Sequence, residues 1–416
     1  MPARILLADC DQMFVAVARL VDPDGAGKAR LLVVGGHAHS RGVVCSASYE
    51  VRVFGVRAGM PIARAARLCP GATFVPVPRK ACGVKHAEIR RVLHEWAPVV
   101  EAASIDEFYL DLSGTERVYR AEPLDTTARR LREDVRVRAG LTLSIGGGTN
   151  RLVAKLAAER AKPRPGSGGT GVLIVPAGEE AAFLAGHALA DIPGVGPRLT
   201  ATLKRYGLSA VSDALRVDAK TFEQWLGPRT GRWLFERIRG RASEDVDGSG
   251  GAKSMSHEET FARDLVSDDA LETRLLRLVT SLGASLREER LGAGCVTVKL
   301  RDHDFKTRQA SRTVPEPLRT DRAIFAVARE LLAGLRLRRR TAARLLGVNF
   351  SALVPEDGPI QLSMLAGEAD RGESARERRL ARAVDDINRK LGERAIGPAR
   401  LVRSGGSRSP SPPPSP

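Results

Sequence analysis

Two acidic segments, far apart in the chain, each adjoin an apolar run. Asp9 and Asp11 end the first run, and Asp106 and Glu107 directly precede another. Carboxylates in such surroundings are costly unless a basic side chain or a hard divalent cation neutralises them. If the segments converge, they would form a site for two Mg²⁺ ions, the arrangement that in-line nucleotidyl transfer uses. Taken singly, each segment is typical of edge or turn acids that pair with arginine.

The spacing of these acids limits how a strand can present them. Side chains alternate along a strand, so Asp9 and Asp11 should share one face while Cys10 points to the other. Adjacent Asp106 and Glu107 cannot face one ion from a regular strand. We therefore predict a bend or hairpin turn there, at the start of the following strand.

Alternating strand and helix patterns surround the acids over residues 1–185. The alternation predicts a mixed α+β layer with helices on one side of a sheet. The predicted strands cover residues 4–8, 31–35, 43–46, 74–77, 104–112, 141–146 and 171–175, and the predicted helices cover residues 61–68, 85–97, 126–139 and 151–161.

Further segments follow this mixed layer. Short helical patterns with Gly- and Pro-rich turns occupy residues 186–247, and the Gly-rich residues 248–252 are typical of a linker. Residues 253–355 have βαββαβ order, which predicts a small four-stranded sheet with two helices. Residues 356–416 are predicted to be a tail with one amphipathic helical pattern, at residues 374–392.

Composition favours a polyanionic partner. The 416 residues include 66 Lys+Arg against 49 Asp+Glu, a formal net charge of +17. Such a field is typical of nucleic-acid binding, and an acidic membrane or a GC-rich coding bias toward arginine are the alternatives. The 5 cysteines are scattered without CxxC spacing, and no apolar stretch approaches the length of a membrane span. We therefore expect no zinc site, no disulfide, no membrane anchor and a cytoplasmic location.

A Pro-Gly-Val-Gly turn, formed by Pro193, Gly194, Val195 and Gly196, lies in the all-helical segment. Glycines let a backbone turn tightly and approach a phosphate, which the N–H groups of the next helix can bind. We interpret the segment as a helix-hairpin-helix that binds nucleic-acid backbone without reading bases, with a looser second copy at residues 226–231. A plain tight turn between packed helices is the alternative.

Tyr49, Arg52 and Lys162 are candidates for binding a triphosphate. Tyr49 and Arg52 would share one face of a helical turn, and Lys162 ends a predicted helix. Arginine offers a planar fork to phosphate oxygens, and tyrosine offers a hydroxyl donor. Singly, each residue is typical of a solvated surface.

These segments together resemble the Y-family translesion DNA polymerases, and in particular the DNA polymerase IV (DinB) type. The resemblance covers about residues 4–354 and a short peptide beyond, and its order and spacing are too specific for a chance match. The matching motifs are DCDQMF at residues 9–14, SYEVRVFGV at 48–56, SIDEFYLD at 104–111, AKP at 161–163 and IPGVG at 192–196.

The resemblance implies an α+β multidomain fold. Residues 1–185 would form a ferredoxin-like palm with fingers at roughly 20–78, residues 186–247 the helix-hairpin-helix thumb, and residues 253–355 the βαββαβ little-finger domain. It also implies an error-prone DNA-directed DNA polymerase that adds deoxynucleotides to a primer 3′-OH opposite damaged or undamaged template, without proofreading. The partners would be primer-template DNA, deoxynucleoside triphosphates and a sliding clamp, and the protein would be a monomer.

The resemblance also implies roles for single residues. Asp9, Asp106 and Glu107 would hold two Mg²⁺ ions, with the backbone carbonyl of Cys10 as a further oxygen. Asp11 matches the motif but ranks below the other three acids as a ligand.

The nucleotide site follows from the same resemblance. Phe14 would be the steric gate that excludes ribonucleotides, and Tyr49, Arg52 and Lys162 would bind the triphosphate. Small side chains at residues 44–47 would form the roof over the nascent base pair and leave room for a damaged template base.

The DNA and clamp contacts would lie in the last part of the chain. The little finger would hold duplex DNA through its backbone, and its candidate contacts are Lys299, Arg301, Lys306 and Arg308. Residues 361–365 resemble the peptide by which these polymerases bind the clamp, with Gln361, Leu362, Met364 and Leu365 as its contacts. The end, residues 404–416, is predicted to be disordered.

Some positions depart from the family pattern. Met13 stands where a second aromatic residue is usual, and Ala18 stands where a glutamate is usual. Because neither position is a metal ligand, we expect altered packing of the gate rather than loss of chemistry. The loop after Lys162 is longer than the turn that is usual at this position in the family. The position of the Lys162 side chain depends on the path of this loop.

Two functions of other classes remain as alternatives. A catalytically weak, clamp-tethered scaffold on the same fold would have lost the acidic ligands, all of which are present here. A nucleotide cyclase shares paired acids on a ferredoxin-like sheet, but it has no use for the helix-hairpin-helix or the basic C-terminal module.

Overall fold

A computed structural model describes residues 2–164, 166, 168–358, 373–392 and 395–402. The chain folds as two units, Met1–Gly250 and Gly251–Pro416. Among the residues described, no helix is both long enough and apolar enough to cross a membrane. The predicted clamp peptide at residues 361–365 and the predicted disordered end at residues 404–416 lie outside the described ranges.

The first unit contains a five-stranded sheet, a three-stranded sheet and a group of helices. In chain order its elements are β1 (Ile5–Cys10), α1 (Met13–Val21), β2 (Leu32–Val34), β3 (Ser46–Ala47), α2 (Tyr49–Arg52), α3 (Ile62–Leu68), β4 (Thr73–Val75), α4 (Arg79–Trp96), β5 (Val99–Ala102), β6 (Glu107–Asp111), α5 (Leu124–Ala139), β7 (Leu143–Gly148), α6 (Arg151–Ala161), β8 (Val172–Ile174), α7 (Glu180–Ala185), α8 (Pro197–Arg205), α9 (Val211–Ala214), α10 (Ala219–Leu226) and α11 (Pro228–Arg237).

Strand β1 lies at the centre of the larger sheet, whose order is β5-β6-β1-β7-β8. On one face Leu6 and Ala8 pack with apolar residues of α4 and α5. On the other face Ile5 and Leu7 pack against α6. Helices therefore cover both faces, which corrects the prediction of helices on one side. Every residue of β1 is buried, and its side chains alternate between the two faces of the sheet. Helices on one face alone would therefore leave half of these side chains uncovered.

A hairpin joins β5 to β6 and places the second acidic pair at its turn. The N–H of Ala103 donates to the carbonyl of Glu107 at 2.9 Å, and β6 begins at Glu107. The predicted bend is present, but the single strand predicted at residues 104–112 was wrong, because β6 starts later and pairs with β5. The four residues of β5 directly follow a helical pattern and are too few to show alternation.

The remaining elements of the first unit form two smaller cores. The sheet β3-β2-β4 packs with α2 and α3 around Val33, Val51 and Ile62. Helices α7–α11 pack around a separate core that contains Leu203 and Phe222. Helix α1 was not predicted, because its nine residues are apolar apart from Arg19, and so short an apolar run does not distinguish a helix from a strand.

The second unit confirms the predicted βαββαβ order. Its elements are β9 (Ser254–Leu265), α12 (Asp268–Glu288), β10 (Leu291–Asp302), β11 (Thr307–Leu318), α13 (Asp321–Arg338), β12 (Ala343–Pro355), α14 (Ala375–Leu391) and α15 (Ala399–Val402). The sheet order is β11-β10-β12-β9, and α12 and α13 pack on one of its faces around a core of aliphatic residues and phenylalanine.

Helix α14 confirms the helical pattern predicted at residues 374–392, and ion pairs attach it to the second unit. Arg287 of α12 donates to Asp385 of α14 at 2.6 and 2.9 Å and to Asp321 of α13 at 2.7 Å. The apolar stripe predicted for this helix stays largely exposed, with Leu380 63% and Leu391 75% exposed. Ion pairs rather than apolar burial therefore attach α14 to the second unit, which a search for apolar periodicity does not detect.

Candidate active site

The fold brings the two acidic segments together. In the antiparallel pairing of β1 with β6, Asp9 lies directly opposite Glu107, so both side chains share one face of the sheet. The N–H of Cys10 donates to the carbonyl of Asp106 at 2.8 Å, which fixes the hairpin turn beside β1. The hydroxyl of Ser104 in this turn donates to the Asp106 carboxylate at 2.6 Å.

Lys155 of α6 and Lys162, which directly follows α6, neutralise these acids. Lys162 lies 2.8 Å from Asp9 and 2.7 Å from Glu159. Lys155 donates to both carboxylate oxygens of Glu107, at 2.8 and 2.6 Å. In the described ranges, no group of three or more His, Cys, Asp or Glu side chains is arranged to hold a metal ion. In this arrangement, the ammonium groups of Lys155 and Lys162 contact the carboxylate oxygens that a metal ion would need.

The acids are held at an electrostatic cost. Burial raises the pKa of Asp9 to about 6, against the opposing effect of Lys162. Burial also works against the charged form of Lys162, but Asp9 and Glu159 outweigh it and raise the pKa of the ammonium group. A hard divalent cation would relieve this cost at Asp9, and oxygen ligands are the set that Mg²⁺ prefers, so the residues present fit that ion.

Asp11 makes different contacts from the other acids. Its carboxylate accepts the hydroxyl hydrogen of Ser144 at 2.7 Å, its second oxygen is buried without a hydrogen-bond partner, and burial raises its pKa. Gln12 follows in the left-handed conformation, with φ 50°, and starts α1. This sharp turn places Phe14 in the first turn of α1, half-buried between the palm core and the β2–β4 side of the unit.

The candidate triphosphate residues belong to the same neighbourhood. The guanidinium of Arg52 lies 5.1 Å from the centre of the Tyr49 ring and donates to the carbonyl of Ala47 at 2.9 Å. Burial raises the pKa of the Tyr49 hydroxyl, on which the charges of Asp11 and Lys162 also act. The structure therefore brings Tyr49, and with it Arg52, within electrostatic range of the acidic site.

Lys155 and Arg164 were not predicted from the sequence. Arg164 pairs with Glu159, which also binds Lys162. The missed signal is helical spacing, because Lys155, Glu159 and Lys162 follow each other at intervals of four and three residues and share one face of α6. Met13 and Ala18, which depart from the family pattern, are both buried in apolar cores, and neither contacts the acids.

The Pro-Gly-Val-Gly turn adopts a hairpin between helices. Gly194 has φ +99°, Val195 donates to the carbonyl of Ile192 at 2.9 Å, and Gly196 caps α8. A Cβ at Gly194 would meet the Trp233 ring at 2.7 Å, whereas one at Gly196 would meet open space. The backbone at Gly196, directly before α8, is therefore open to an approaching group.

The basic candidates of the second unit divide between two faces of its sheet. Lys299 and Arg301 alternate with buried residues of β10 and lie on the face that the helices leave open. Lys306 is exposed beside the turn after β10. Arg308 lies opposite buried Leu300 and donates to Asp302 at 2.9 Å, so it faces the helices. This register corrects the grouping of Arg308 with the other three as a DNA contact.

Comparison with known proteins identifies the family. The impB/mucB/samB family matches residues 8–159, its C-terminal domain matches residues 252–364, and the thumb domain of DNA polymerase iota matches residues 190–241. DNA polymerase IV of Caulobacter vibrioides is 33% identical over 399 residues, which are 95% of this chain and 93% of the relative. DNA polymerase IV of Methanoculleus marisnigri is 35% identical over 352 residues, 84% of this chain and 94% of the relative.

Solved structures agree on the fold. A chimera of the Y-family polymerases Dbh and Dpo4 superimposes with a TM-score of 0.73 at 24% identity, covering 85% of this chain and 99% of the chimera. The chain therefore belongs to the Y-family DNA polymerases, of the DNA polymerase IV (DinB) type. It is a DNA-directed DNA polymerase of the translesion type, and the scaffold and cyclase alternatives are not favoured.

Proposed function

We propose that Asp9, Asp106 and Glu107, with the backbone carbonyl of Cys10, hold two Mg²⁺ ions for nucleotidyl transfer to a primer 3′-OH. The observation that carries the proposal is the register that sets Asp9 opposite Glu107, beside the turn that contains Asp106. When bound, two such ions lower the pKa of the attacking hydroxyl and neutralise the triphosphate and the leaving pyrophosphate.

Lys162 would then exchange its carboxylate partner for a phosphate. Lys162, now on Asp9, would turn to the incoming triphosphate when a cation takes over that carboxylate, and Arg52 and Tyr49 would bind further phosphate oxygens. Phe14 would exclude a ribose 2′-OH from its position at the start of α1. Each of these groups positions or selects the nucleotide.

The duplex would contact the hairpin at Gly194–Gly196 and the open face of the second unit, through Lys299, Arg301 and Lys306. These contacts go to phosphates, so binding should weaken steeply with salt. We also propose residues 361–365 as a peptide for the sliding clamp, and a monomer in the cytoplasm. All five cysteines are free.

Primer extension with Mg²⁺ and single deoxynucleotides tests the proposed function. Template-directed addition that disappears in the Asp106→Ala/Glu107→Ala variant supports a polymerase with this acidic site. Tight primer-template binding without any extension by the unmodified chain would instead favour the scaffold alternative, and the Met13 and Ala18 departures would then be reverted first.

Lys155→Ala should lower the Mg²⁺ concentration that gives half-maximal extension. Lys155 and a metal ion compete for the oxygens of Glu107, and a partly exposed ion pair of this kind is worth up to about 1 kcal/mol, or roughly fivefold. The measurement is a Mg²⁺ titration of the extension rate, with Lys155→Arg as the charge-conserving control. A higher Mg²⁺ requirement in the alanine variant would contradict the competition.

Gly194→Ala should lower the melting temperature and weaken primer-template binding, because it forces an alanine to φ +99° and against Trp233. The left-handed backbone alone costs about 1–2 kcal/mol for an alanine. Gly196→Ala should leave the melting temperature unchanged, since its Cβ meets nothing within 4 Å. Fluorescence anisotropy with labelled duplex checks both variants. If Gly196→Ala binds DNA as tightly as the unmodified chain does, the backbone at Gly196 does not approach a phosphate.

A further inference from the structure

A basic cleft lies in the second unit where α14 meets the ends of α12 and β11. It has a small inner cavity of about 20 Å³, and an adjoining cleft of about 320 Å³ shares several of its residues. The inner space holds a group about the size of one water or one phosphate oxygen, and the outer space accommodates whole phosphate groups. Arginine predominates in the lining, which includes Arg287, Arg290, Arg319, Arg378, Arg379 and Arg382 beside Glu356.

Arg319 is the central feature of this cleft. The residue is only 5% exposed, and its Nε and Nη2 groups are buried with no hydrogen-bond partner in the structure. Its remaining Nη1 donates to the carbonyl of Pro317 at 3.2 Å. A buried guanidinium with two unused donors is costly, and an anion bound in the adjoining cleft would stabilise its charge.

The neighbouring carboxylates are already engaged elsewhere. Glu373 uses one oxygen to accept the N–H groups of Arg319 and Thr320, at 2.6 and 2.5 Å, and the Thr320 hydroxyl at 2.8 Å. Its other oxygen is buried and unpartnered, and so it does not bind the Arg319 guanidinium. Glu356 pairs with Arg382.

Two arginines of α14 complete the positive surface. Arg378 and Arg379 line the outer cleft, and within the part of the chain that the structure describes their side chains make no ion pair. They stand opposite Arg319, which belongs to the connection between β11 and α13. Charge from two separate elements therefore converges on one concave space.

We propose that this cleft binds a compact phosphate anion, either inorganic phosphate or pyrophosphate or the terminal phosphates of a nucleotide. A cleft that includes a buried arginine suits a small group of high charge, whereas a backbone phosphodiester carries a single charge and is flanked by sugars. The cleft is also remote from the proposed DNA face. Leu291 lines the cleft at the start of β10, and Lys299 lies eight residues further along that strand, on the order of 25 Å away.

A bound anion would join α14 to the body of the unit. It would contact Arg319 on one side and Arg378 or Arg379 on the other, adding to the ion pair between Arg287 and Asp385. Hydrogen exchange in residues 375–391 should therefore slow when the anion binds. This readout is independent of polymerase activity and of the proposed function.

The test is calorimetric titration of the full-length chain with pyrophosphate in EDTA, so that metal-dependent binding at the acidic site is removed. Arg378→Ala/Arg379→Ala should weaken binding by at least about tenfold, because charged hydrogen bonds are lost. Arg376→Ala, on the same helix but outside the lining, is the matched control and should bind normally. Arg379 is exposed and Arg378 is half-buried, so changes at these positions avoid the risk that a change at Arg319 prevents folding.

Several outcomes would overturn the proposal. Absence of pyrophosphate binding, or equal binding by the double variant and the unmodified chain, would mean that no such site exists. A second arm adds duplex DNA to the pyrophosphate-bound chain. If DNA displaces pyrophosphate, and the double variant loses DNA affinity in the same proportion, the cleft is part of the DNA surface rather than a separate anion site.

Discussion

Asp106→Asn should reduce primer extension by about 10³-fold or more, which corresponds to roughly 4 kcal/mol of lost transition-state stabilisation. Asparagine keeps the oxygen that accepts the Ser104 hydroxyl at 2.6 Å, so the hairpin turn should persist. What disappears is one negative charge of the set that would hold the metal ions. Single-turnover extension at saturating deoxynucleotide measures the effect.

Stability and DNA binding separate this role from a structural one. Asp106 adds to the repulsion that acts on Asp9, so its neutralisation should leave the melting temperature unchanged or slightly higher. Affinity for primer-template should stay the same. Asp111→Asn, at the far end of β6, is the matched control, since it keeps the oxygen that accepts the Ser113 N–H at 2.8 Å. Extension by Asp106→Asn at the unmodified rate would refute the assignment of the acids.

The convergence of the acids could be predicted because each pair is tied to a strand. Once Asp9 ends an apolar strand and Asp106 precedes another, antiparallel pairing of the two strands brings them together. The motifs then supply the order of the domains, and βαββαβ order supplies the second sheet. These are local patterns, and local patterns are what a single sequence records best.

Features that depend on non-local contacts were not predictable. Lys155 is an ordinary helical lysine until α6 packs across β1 and meets Glu107. Arg308 pairs with Leu300, the neighbour of Arg301, and therefore points to the other face of the sheet. A shift of one residue in the strand register would reverse this orientation. Helix α14 is attached by Arg287 and Asp385, residues 98 positions apart, and no periodicity connects them.

The proposed gate residue, Phe14, depends on distant packing in a similar way. Phe14 was identified from its motif, but its ring position is set by two cores, one built on the large sheet and the other on β2. The turn at Gln12, with φ 50°, starts the helix that carries it. A non-glycine residue in this conformation is strained, and such strain persists where the surrounding structure holds it in place.

Phe14→Ala should therefore admit ribonucleotides. Removal of the ring opens the space against the sugar, and the preference for deoxynucleotides over ribonucleotides should fall on the order of 100-fold. Because the ring is held by packing on two sides and does not touch the acids, deoxynucleotide addition should fall by much less. Competing single-nucleotide extension with each sugar gives the ratio. Phe54→Ala, which removes a ring that is 50% exposed, is the control and should keep the original selectivity. Unchanged selectivity in Phe14→Ala would mean that another side chain meets the 2′ position, and Tyr49 would be the next residue to replace.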